Sequence, residues 1–484
     1  MRERARFAPS PTGPLHIGGV RTALFNYLIA KKNGGDFILR IEDTDTERTV
    51  DGAEKYIIDS LKWLGLNPDE RPYKQSERKE LYLKHVNLLV EKGFAYHCFD
   101  TPQELAAAKE KFGNDFKYRH DKNFGLKNTF TMEKEESTGL VEKGEYVIRM
   151  VVPKNETIRV KDEIRGNLSF SSNELEDKII LKSDGMPTYH LANVVDDRDM
   201  KITSVVRGEE WLSSLPFHVL LYKYFDWVAP KFYHLPLILK SSGKGKLSKR
   251  DAEEQGFPVF PIKWEKADGF KEHGFLPEGL INYLALLGWS NESDKEKYTL
   301  DELVSAFESS RIQKSGARFD IKKAAWVNHL HIQDCSSKKI TEIAGDQILD
   351  LTAMFGEKKV EEIVSLIKER VSLVSDIKKE TEMFLSPPSG YEEKTLHKLN
   401  KEEALLVLNF CTLEIESSKT GLEIKEGIFN ASAKNNISFG QTMKTLRLAL
   451  VGALKGPDLF KTIEIIGLEE AIKRIDKLTK TLKP

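Results

Sequence analysis

A loop rich in proline and glycine occupies residues 9–19 and precedes the first helical pattern of the chain. Its glycines allow a ligand to approach the backbone, and the free N–H groups at the start of a helix from about Val20 favour an anion such as a triphosphate. His16, just before this helix, is suited to donate to phosphate oxygens and to stabilise the charge that develops on them. For the loop alone, a simple turn with a surface histidine is the alternative interpretation.

A second candidate is the basic stretch Lys246-Leu247-Ser248-Lys249-Arg250. Two lysines that flank a small hydroxyl residue on a flexible loop are able to close over a polyphosphate as point charges. Taken alone, such a run is typical of a solvated face or a nucleic-acid patch. Together with the first loop it predicts a nucleotidyl-transfer site that first adenylates a carboxylate.

The elements that position these loops begin with a strand at 5–8, a helix from about Val20 to Lys32 and a strand at 36–42. This order is a βαβ unit and implies a parallel sheet. Further strands are predicted at 178–182, 188–195 and 202–207. The pattern between about 101 and 170 indicates an α+β insertion, and helical periodicity dominates from about Leu276 onwards.

Composition limits the class of protein. The chain has 484 residues, with 74 Lys and Arg against 75 Asp and Glu, and 40% of its residues are hydrophobic. These values exclude a disordered chain, a collagen and a disulfide scaffold. The balanced charge argues against binding nucleic acid through bulk positive charge but leaves room for a local basic face. The three scattered cysteines and the charged N-terminus predict a soluble, cytoplasmic protein that does not associate with a membrane.

The two loops carry a family resemblance. Residues 9–19 resemble the HIGH signature, and residues 246–250 resemble the KMSKS signature, of class I aminoacyl-tRNA synthetases. Wider strings resemble bacterial glutamyl-tRNA synthetases at 6–13, 40–45, 188–197 and 207–211. The match covers about the first 330 residues, and the last third is similar mainly in helical character and length. Two departures are Gly19 in place of the second HIGH histidine, and KLSKR in place of KMSKS.

The resemblance implies an α/β Rossmann-like catalytic domain interrupted by an α+β insertion and followed by all-α C-terminal domains. The predicted domains are the catalytic domain at 1–98 and 178–252, an acceptor-end-binding insertion at 99–177, a stem-contact helical domain at 253–330 and an anticodon-binding domain at 331–484. The lysine and arginine pairs of the helical half are candidate tRNA contacts: Lys322 and Lys323, Lys368 and Arg370, Lys444 and Arg447.

The implied amino-acid pocket must bind an anionic side chain, which calls for a cation with planar two-point geometry. Arg6 and Arg207 are the candidates, and Glu42 is expected to hold the α-ammonium group of the substrate. The predicted glutamate-binding residues are Arg6, Ser10, Glu42, Tyr189, Asn193 and Arg207. From the residues alone, a salt bridge at strand ends and a core aromatic remain alternatives for Arg6, Glu42 and Tyr189.

In the implied ATP site, His16, Lys246 and Lys249 are the predicted catalytic residues, which act by orientation and charge stabilisation without a covalent protein intermediate. The predicted ATP-binding residues are Pro9, Ser10, Thr12, Gly13, His16, Gly18, Gly19, Glu210, Lys246, Leu247, Ser248, Lys249 and Arg250. ATP is expected to arrive with Mg²⁺, which needs few protein ligands there, so no metal ligand is assigned. Because Cys98 lacks the second cysteine of the Cys-x-Cys pair that begins a zinc site in some relatives, no structural zinc is expected.

The predicted function is ATP-dependent ligation of glutamate to tRNA(Glu) by a monomer, and the alternative is an enzyme that also charges tRNA(Gln). A glutaminyl enzyme is expected to end in β-barrels, and a tRNA-modifying paralogue would be much shorter. A nucleotidyltransferase for small substrates does not explain the helical half. A tRNA-binding scaffold explains neither His16 nor the basic stretch at residues 246–250, here called the lysine loop.

Overall fold

The computed structural model describes residues 2–113, 116–122, 124–241, 245–418 and 420–483. The chain divides into two compact units, one formed by Met1–Lys271 and Pro277–Val327 and the other by Glu272–Leu276 and Asn328–Pro484. Among the described helices, none is long and apolar enough to cross a bilayer.

The first unit combines a large sheet with helices. Its strands are β1 (Arg4–Phe7), β2 (Asp36–Ile41), β3 (Tyr73–Lys74), β4 (Ala95–Cys98), β5 (Val147–Met150), β6 (Thr157–Asp162), β7 (Gly166–Ser171), β8 (Ile179–Leu181), β9 (Ser204–Gly208), β10 (Lys231–Leu235), β11 (Ile238–Leu239) and β12 (Ala317–Arg318). Its helices are α1 (Ile17–Lys32), α2 (Ala53–Trp63), α3 (Lys79–Glu91), α4 (Pro102–Phe112), α5 (Lys134–Lys143), α6 (Tyr189–Asp199), α7 (Leu215–Tyr224), α8 (Lys249–Gln255), α9 (Pro277–Leu286) and α10 (Leu300–Ala306).

The large sheet has the strand order β3-β2-β1-β9-β10-β6-β7, and only its last pair is antiparallel. Strands β6 and β7 therefore extend this sheet although they lie within the stretch predicted as an insertion, whereas β4, β5 and β8 form a separate antiparallel sheet. Ile38 and Val205 on the large sheet belong to the same buried cluster as Leu191 of α6 and Leu221 of α7. This packing fixes the carboxyl ends of the parallel strands, which is where ligands bind in open α/β sheets.

The strand predicted at 188–195 is wrong, because these residues form the start of α6. All seven residues from 191 to 197 are buried, so the periodicity that separates a helix from a buried strand is lost. The helix has a consequence for the site. Tyr189, Asn193 and Asp197 are spaced four residues apart and so lie on one helical face.

The lysine loop, residues 246–250, contains the start of a helix. Strand β11 precedes it, and α8 begins within it at Lys249. Ser248 caps this helix: its Oγ accepts from the Asp251 amide at 3.2 Å, and the Asp251 carboxylate accepts from the Ser248 amide at 3.0 Å. The Ser-x-x-Asp spacing is a capping-box signal that the sequence already contained.

The second unit is helical throughout its described part, and α11 (Ile321–Asp334) runs from the first unit into it. Its helices are α12 (Ser337–Ala344), α13 (Leu349–Phe355), α14 (Glu357–Ile367), α15 (Asp376–Leu385), α16 (Glu393–Leu396), α17 (Lys401–Ser417), α18 (Gly421–Lys434), α19 (Phe439–Val451), α20 (Leu459–Ile466) and α21 (Leu468–Leu482). Helix α21 buries Ala471, Ile475, Leu478 and Leu482, the apolar face of an amphipathic helix. The predicted fold class, a parallel α/β sheet followed by helices, is confirmed.

Candidate active site

A cavity of about 970 Å³ lies in the first unit, where the loops after β1 and β9 face the lysine loop. Every predicted site residue except Arg250 lines it: Arg6, Pro9, Ser10, Thr12, Gly13, His16, Gly18, Gly19, Glu42, Tyr189, Asn193, Arg207, Glu210, Lys246, Leu247, Ser248 and Lys249. The structure thus brings together two loops that are more than 200 residues apart in the sequence.

At one end of the cavity, His16 is the N-cap of α1, and its Nδ1 accepts a hydrogen bond from the Gly18 amide at 3.0 Å. The ring hydrogen of the neutral imidazole is therefore on Nε2. Desolvation and the positive charge of Lys246 lower the pKa of His16, and Glu210 opposes them only in part. A neutral imidazole that carries its hydrogen on Nε2 is a hydrogen-bond donor for an anionic ligand.

The backbone of the lysine loop is fixed between its two lysines and directly after them. The Leu247 amide donates to the Ile238 carbonyl at 2.9 Å, which ties the loop to β11, and the capped start of α8 follows directly. The Lys249 side chain is 60% exposed, and its Nζ lies 5.5 Å from the centre of the Phe260 ring. The lysine charges are thus accessible to a ligand while their backbone is positioned.

At the other end of the cavity, five buried side chains form a closed ring of hydrogen bonds. Arg6 donates to both oxygens of Asp197, at 2.9 and 3.2 Å. Arg40 donates to Asp197 at 2.7 Å and to Glu42 Oε1 at 3.0 Å. Asn193 closes the ring, because its Nδ2 donates to Glu42 Oε1 at 2.9 Å and its Oδ1 accepts from Arg6 at 3.1 Å. Two cations and two anions balance within this ring.

The ring of hydrogen bonds uses only one carboxylate oxygen of Glu42. Burial raises the pKa of this carboxyl group, and the neighbouring Arg40 and Arg6 oppose the shift. Both of its hydrogen bonds within the described residues use Oε1. Oε2 therefore remains as an acceptor on the cavity wall.

Arg207, at the end of β9, differs from Arg6 in its partners. Its Nη1 donates to the Tyr189 hydroxyl at 2.8 Å, and its buried Nη2 has no hydrogen-bond partner among the described residues. No carboxylate of the described residues forms an ion pair with Arg207, whereas Arg6 is paired with Asp197. A buried cation without a counter-ion strongly favours an anionic ligand.

Sequence reasoning missed several residues of this site. Arg40 and Asp197 organise the buried ring, and for Arg40 the available signal was a charged residue inside an otherwise apolar strand. The ring of Trp211 lies 4.3 Å from that of Tyr189, measured between centres. Phe260 and Trp264 also line the cavity, although they lie in the stretch predicted as the stem-contact domain.

No metal centre is visible in the described ranges, where no group of three or more His, Cys, Asp or Glu side chains is placed to hold an ion. Cys98 is buried. Near Cys98, the Tyr118 hydroxyl donates to Asp100 at 2.5 Å. This hydrogen bond links the segment after β4 to the segment after α4.

Three of the basic residues predicted to contact tRNA make contacts within the second unit. Lys368 Nζ donates to two backbone carbonyl groups at 2.7 and 3.0 Å. Arg370 pairs with Glu380 at 2.6 Å, and Arg447 donates to the Pro457 carbonyl at 2.7 Å. A role of these residues in tRNA binding stays a prediction.

Comparison with known proteins places this fold and site in a family. The family of class I tRNA synthetases for glutamate and glutamine (E and Q) matches through its catalytic domain at residues 3–326. An anticodon binding domain matches at residues 339–479. The chain belongs to the glutamate and glutamine branch of the class I tRNA synthetases, and the resemblance found in its motifs is confirmed.

Individual relatives are similar over the full length of the chain. A glutamate–tRNA ligase of Flavobacterium johnsoniae is 47% identical over 99% of each chain, and one of Azobacteroides pseudotrichonymphae is 47% identical over 100% of each. Among solved structures, a glutamate tRNA ligase from Elizabethkingia meningosepticum in complex with its amino acid has a TM-score of 0.94 at 44% identity, covering 100% of both chains. The alternative of an additional tRNA(Gln) substrate finds no support in these names.

Proposed function

We propose that this chain joins glutamate to tRNA(Glu) in two steps that consume ATP. In the first, a carboxylate oxygen of glutamate attacks the α-phosphorus of ATP, the bond to the β-phosphate oxygen breaks, and glutamyl-adenylate and pyrophosphate form. In the second, a ribose hydroxyl of the terminal adenosine of the tRNA attacks the carbonyl carbon, and AMP leaves. The observation that carries the proposal is that Nη2 of Arg207 is buried without a hydrogen-bond partner from the described residues, in the same cavity as the HIGH-like and KMSKS-like loops.

The buried end of the cavity is assigned to glutamate. Arg207 binds the side-chain carboxylate, since it is a buried cation that lacks a carboxylate partner within the described residues. Glu42 Oε2 accepts from the α-ammonium group. Ser10, Tyr189 and Asn193 add hydrogen bonds, and Arg6 fixes Asn193 through the contact of 3.1 Å.

The opposite end is assigned to ATP. His16 donates Nε2–H to a phosphate oxygen, and Lys246 and Lys249 stabilise the negative charge that develops at the α-phosphorus and on the leaving pyrophosphate. Pro9, Thr12 and the glycines of the first loop are assigned to nucleotide binding. Mg²⁺ accompanies ATP as part of the substrate and supplies charge neutralisation on the phosphates when it is bound.

The tRNA is assigned to the remaining parts of the chain. The stretch at 99–177 is proposed to bind the acceptor end, 253–330 the stem and 331–484 the anticodon. Catalytic residues are proposed within 1–98 and 178–252. A monomer that acts in the cytoplasm, where tRNA and ATP are available, completes the proposal.

Exchange of radioactive pyrophosphate into ATP tests the first step. Glutamate and tRNA(Glu) should together support exchange, and glutamine should not. Transfer of labelled glutamate to purified tRNA(Glu), with tRNA(Gln) as the comparison, tests the second step. Absence of exchange in the presence of glutamate, ATP, Mg²⁺ and tRNA(Glu) would refute the proposed activity.

A further inference from the structure

Arg207 has a further contact that the assignments above do not use. Its Nε donates to Nε2 of His234 at 3.0 Å, and Nδ1 of the same ring lies 2.7 Å from Asp162 Oδ2. A guanidinium group has only donors, so His234 Nε2 must be the acceptor and Nδ1 must carry the ring hydrogen. The imidazole is therefore neutral, in a single tautomer, between a cation and an anion.

The sheet explains why these three side chains meet. Arg207 of β9 is the register partner of His234 of β10, and Phe232 of β10 is the partner of Asp162 of β6. Three adjacent parallel strands thus present the chain Asp162–His234–Arg207 near their carboxyl ends. Asp162 lies within the stretch predicted as an insertion. It is nevertheless connected to the amino-acid end of the cavity, because His234 of β10 contacts both Asp162 and Arg207.

Asp162 is a rigid anchor for the ring. Its Oδ1 accepts from the amides of Ile164 and Arg165 at 3.0 and 2.8 Å, and its Oδ2 accepts from the amide of His234 at 3.1 Å as well as from the ring. The side chains of Asp162 and His234 are both fully buried. Burial opposes ionisation of Asp162, but the hydrogen bonds from His234 and these amides outweigh it and hold its pKa below the usual value.

Because the His234 ring is neutral, it does not cancel the positive charge of Arg207. A carboxylate at the position of His234 would neutralise Arg207 and compete with an anionic ligand, as Asp197 pairs with Arg6 at the neighbouring position. The imidazole instead satisfies Nε without contributing a charge. With Nε held by His234 and Nη1 by Tyr189, the guanidinium plane is fixed and Nη2 is left for the ligand.

We propose that His234 and Asp162 are positioning residues that hold Arg207, with its charge uncompensated, for the side-chain carboxylate of glutamate and so contribute to the choice of glutamate over a neutral analogue. The proposal rests on the proposed function. It concerns the orientation of Arg207 and not a direct contact with the substrate.

Two variants separate orientation from packing. His234→Leu removes the acceptor for Arg207 Nε, and His234→Gln offers a side-chain oxygen to Arg207 and an N–H group to Asp162. Since the lost bond involves a charged donor, we expect His234→Leu to raise KM for glutamate by about 10- to 100-fold and His234→Gln to recover most of this loss. KM for ATP should change by less than about twofold in both, because the phosphate end is untouched.

Asp162→Asn tests the tautomer and is informative even when His234→Leu does not fold. An amide group that faces Nδ1 with its N–H groups would move the ring hydrogen to Nε2, where it opposes Arg207 Nε–H. We therefore expect Asp162→Asn to raise KM for glutamate more than the Ki of glutamine as a competitor. His85→Leu, on α3 outside the cavity lining, is the control for replacing a histidine elsewhere in the same unit.

The assay is pyrophosphate exchange by the full chain with tRNA(Glu), and urea unfolding checks that each variant is folded. A folded variant with unchanged KM for glutamate overturns the inference, and so does a parallel loss in kcat and in both KM values without rescue by His234→Gln. If the unaltered chain shows no glutamate-dependent exchange, the proposed function itself fails. Normal exchange by the unaltered chain with insensitive variants rejects the positioning role alone.

Discussion

The two ends of the cavity use charge in opposite ways. At the amino-acid end, Arg6, Arg40, Asp197 and Glu42 are buried and paired in a ring that leaves the neighbouring Arg207 unbalanced. At the phosphate end, Lys246 and Lys249 are exposed on a loop whose backbone is held by β11 and by the cap of α8. The first arrangement suits recognition of one small anion by a fixed pocket. The second suits charges that adjust as pyrophosphate forms and departs.

The difference also predicts where substitutions have large effects. A charge in a buried site of low dielectric constant interacts strongly, and removal of its partner leaves it uncompensated. Exposed charges are screened by water and salt. Effects should therefore decrease from the buried ring and Arg207 towards the exposed loop.

The largest effect is expected for Arg207→Gln. Glutamate would then bring a carboxylate into a buried pocket without its cation, which costs about 3–5 kcal/mol, or roughly a 200- to 4,000-fold loss in kcat/KM for glutamate. Glutamate-dependent pyrophosphate exchange measures the loss, with KM for ATP as the internal reference. Arg71→Gln, which removes an exposed arginine outside the cavity lining, is the control. Equal effects of the two variants would contradict the assignment of the amino-acid end.

The second prediction concerns stability. Asp197→Asn leaves Arg6 and Arg40 without their shared anion in a buried site, so we expect the free energy of unfolding to fall by about 3–5 kcal/mol. Urea unfolding of the variant measures it. Asp45→Asn is the control, because its ion pair with Arg48 is largely exposed and its loss should change stability little. Similar losses in both variants would show that burial does not set the difference.

The ring also marks the limit of what the sequence could predict. His16 and the lysine run were found because each stands at the end of an element and has a chemistry of its own. The contact between Arg40 and Asp197 joins residues 157 positions apart, and a single sequence contains no signal for it. The first part of α6 was predicted as a strand because burial of all residues from 191 to 197 erased its periodicity, so the alignment of Asn193 with Asp197 was also out of reach.

At the phosphate end, Lys249→Ala should lower kcat for pyrophosphate exchange by about 10²- to 10³-fold, the loss typical when one group that stabilises transition-state charge is removed. KM for glutamate should stay within about twofold, because this lysine lies at the opposite end of the cavity. Single-turnover formation of glutamyl-adenylate measures the step directly. Lys240→Ala, before the loop, is the control for loss of a nearby positive charge. An unchanged rate of adenylate formation in Lys249→Ala would contradict the role of Lys249.

The pH dependence of stability tests the buried surroundings of the amino-acid end. Behind Tyr189, burial lowers the pKa of His190 from 6.5 to about 4, and its buried Nδ1 has no partner among the described residues. Between these values the unfolded chain binds more protons at this residue than the folded chain, so the stability contributed by His190 falls as the pH falls from 6.5 towards 4. Urea unfolding at several pH values should show a smaller loss for His190→Gln than for the unaltered chain. Identical slopes would show that His190 titrates normally.

The smallest effect is expected at the cap of α8. Ser248→Ala removes the side-chain acceptor of the Asp251 amide, a loss of about 0.5–2 kcal/mol that is confined to the loop. If the exposed lysines depend on an ordered backbone, kcat for exchange should fall by a few-fold, far less than in Lys249→Ala, while Ser248→Thr, which retains a capping hydroxyl, should stay close to the unaltered chain. A loss in Ser248→Ala as large as that in Lys249→Ala would mean that the hydroxyl contacts the substrate itself. An unchanged kcat would mean that the lysines act without a fixed backbone, and the two ends of the cavity would then differ even more than their contacts indicate.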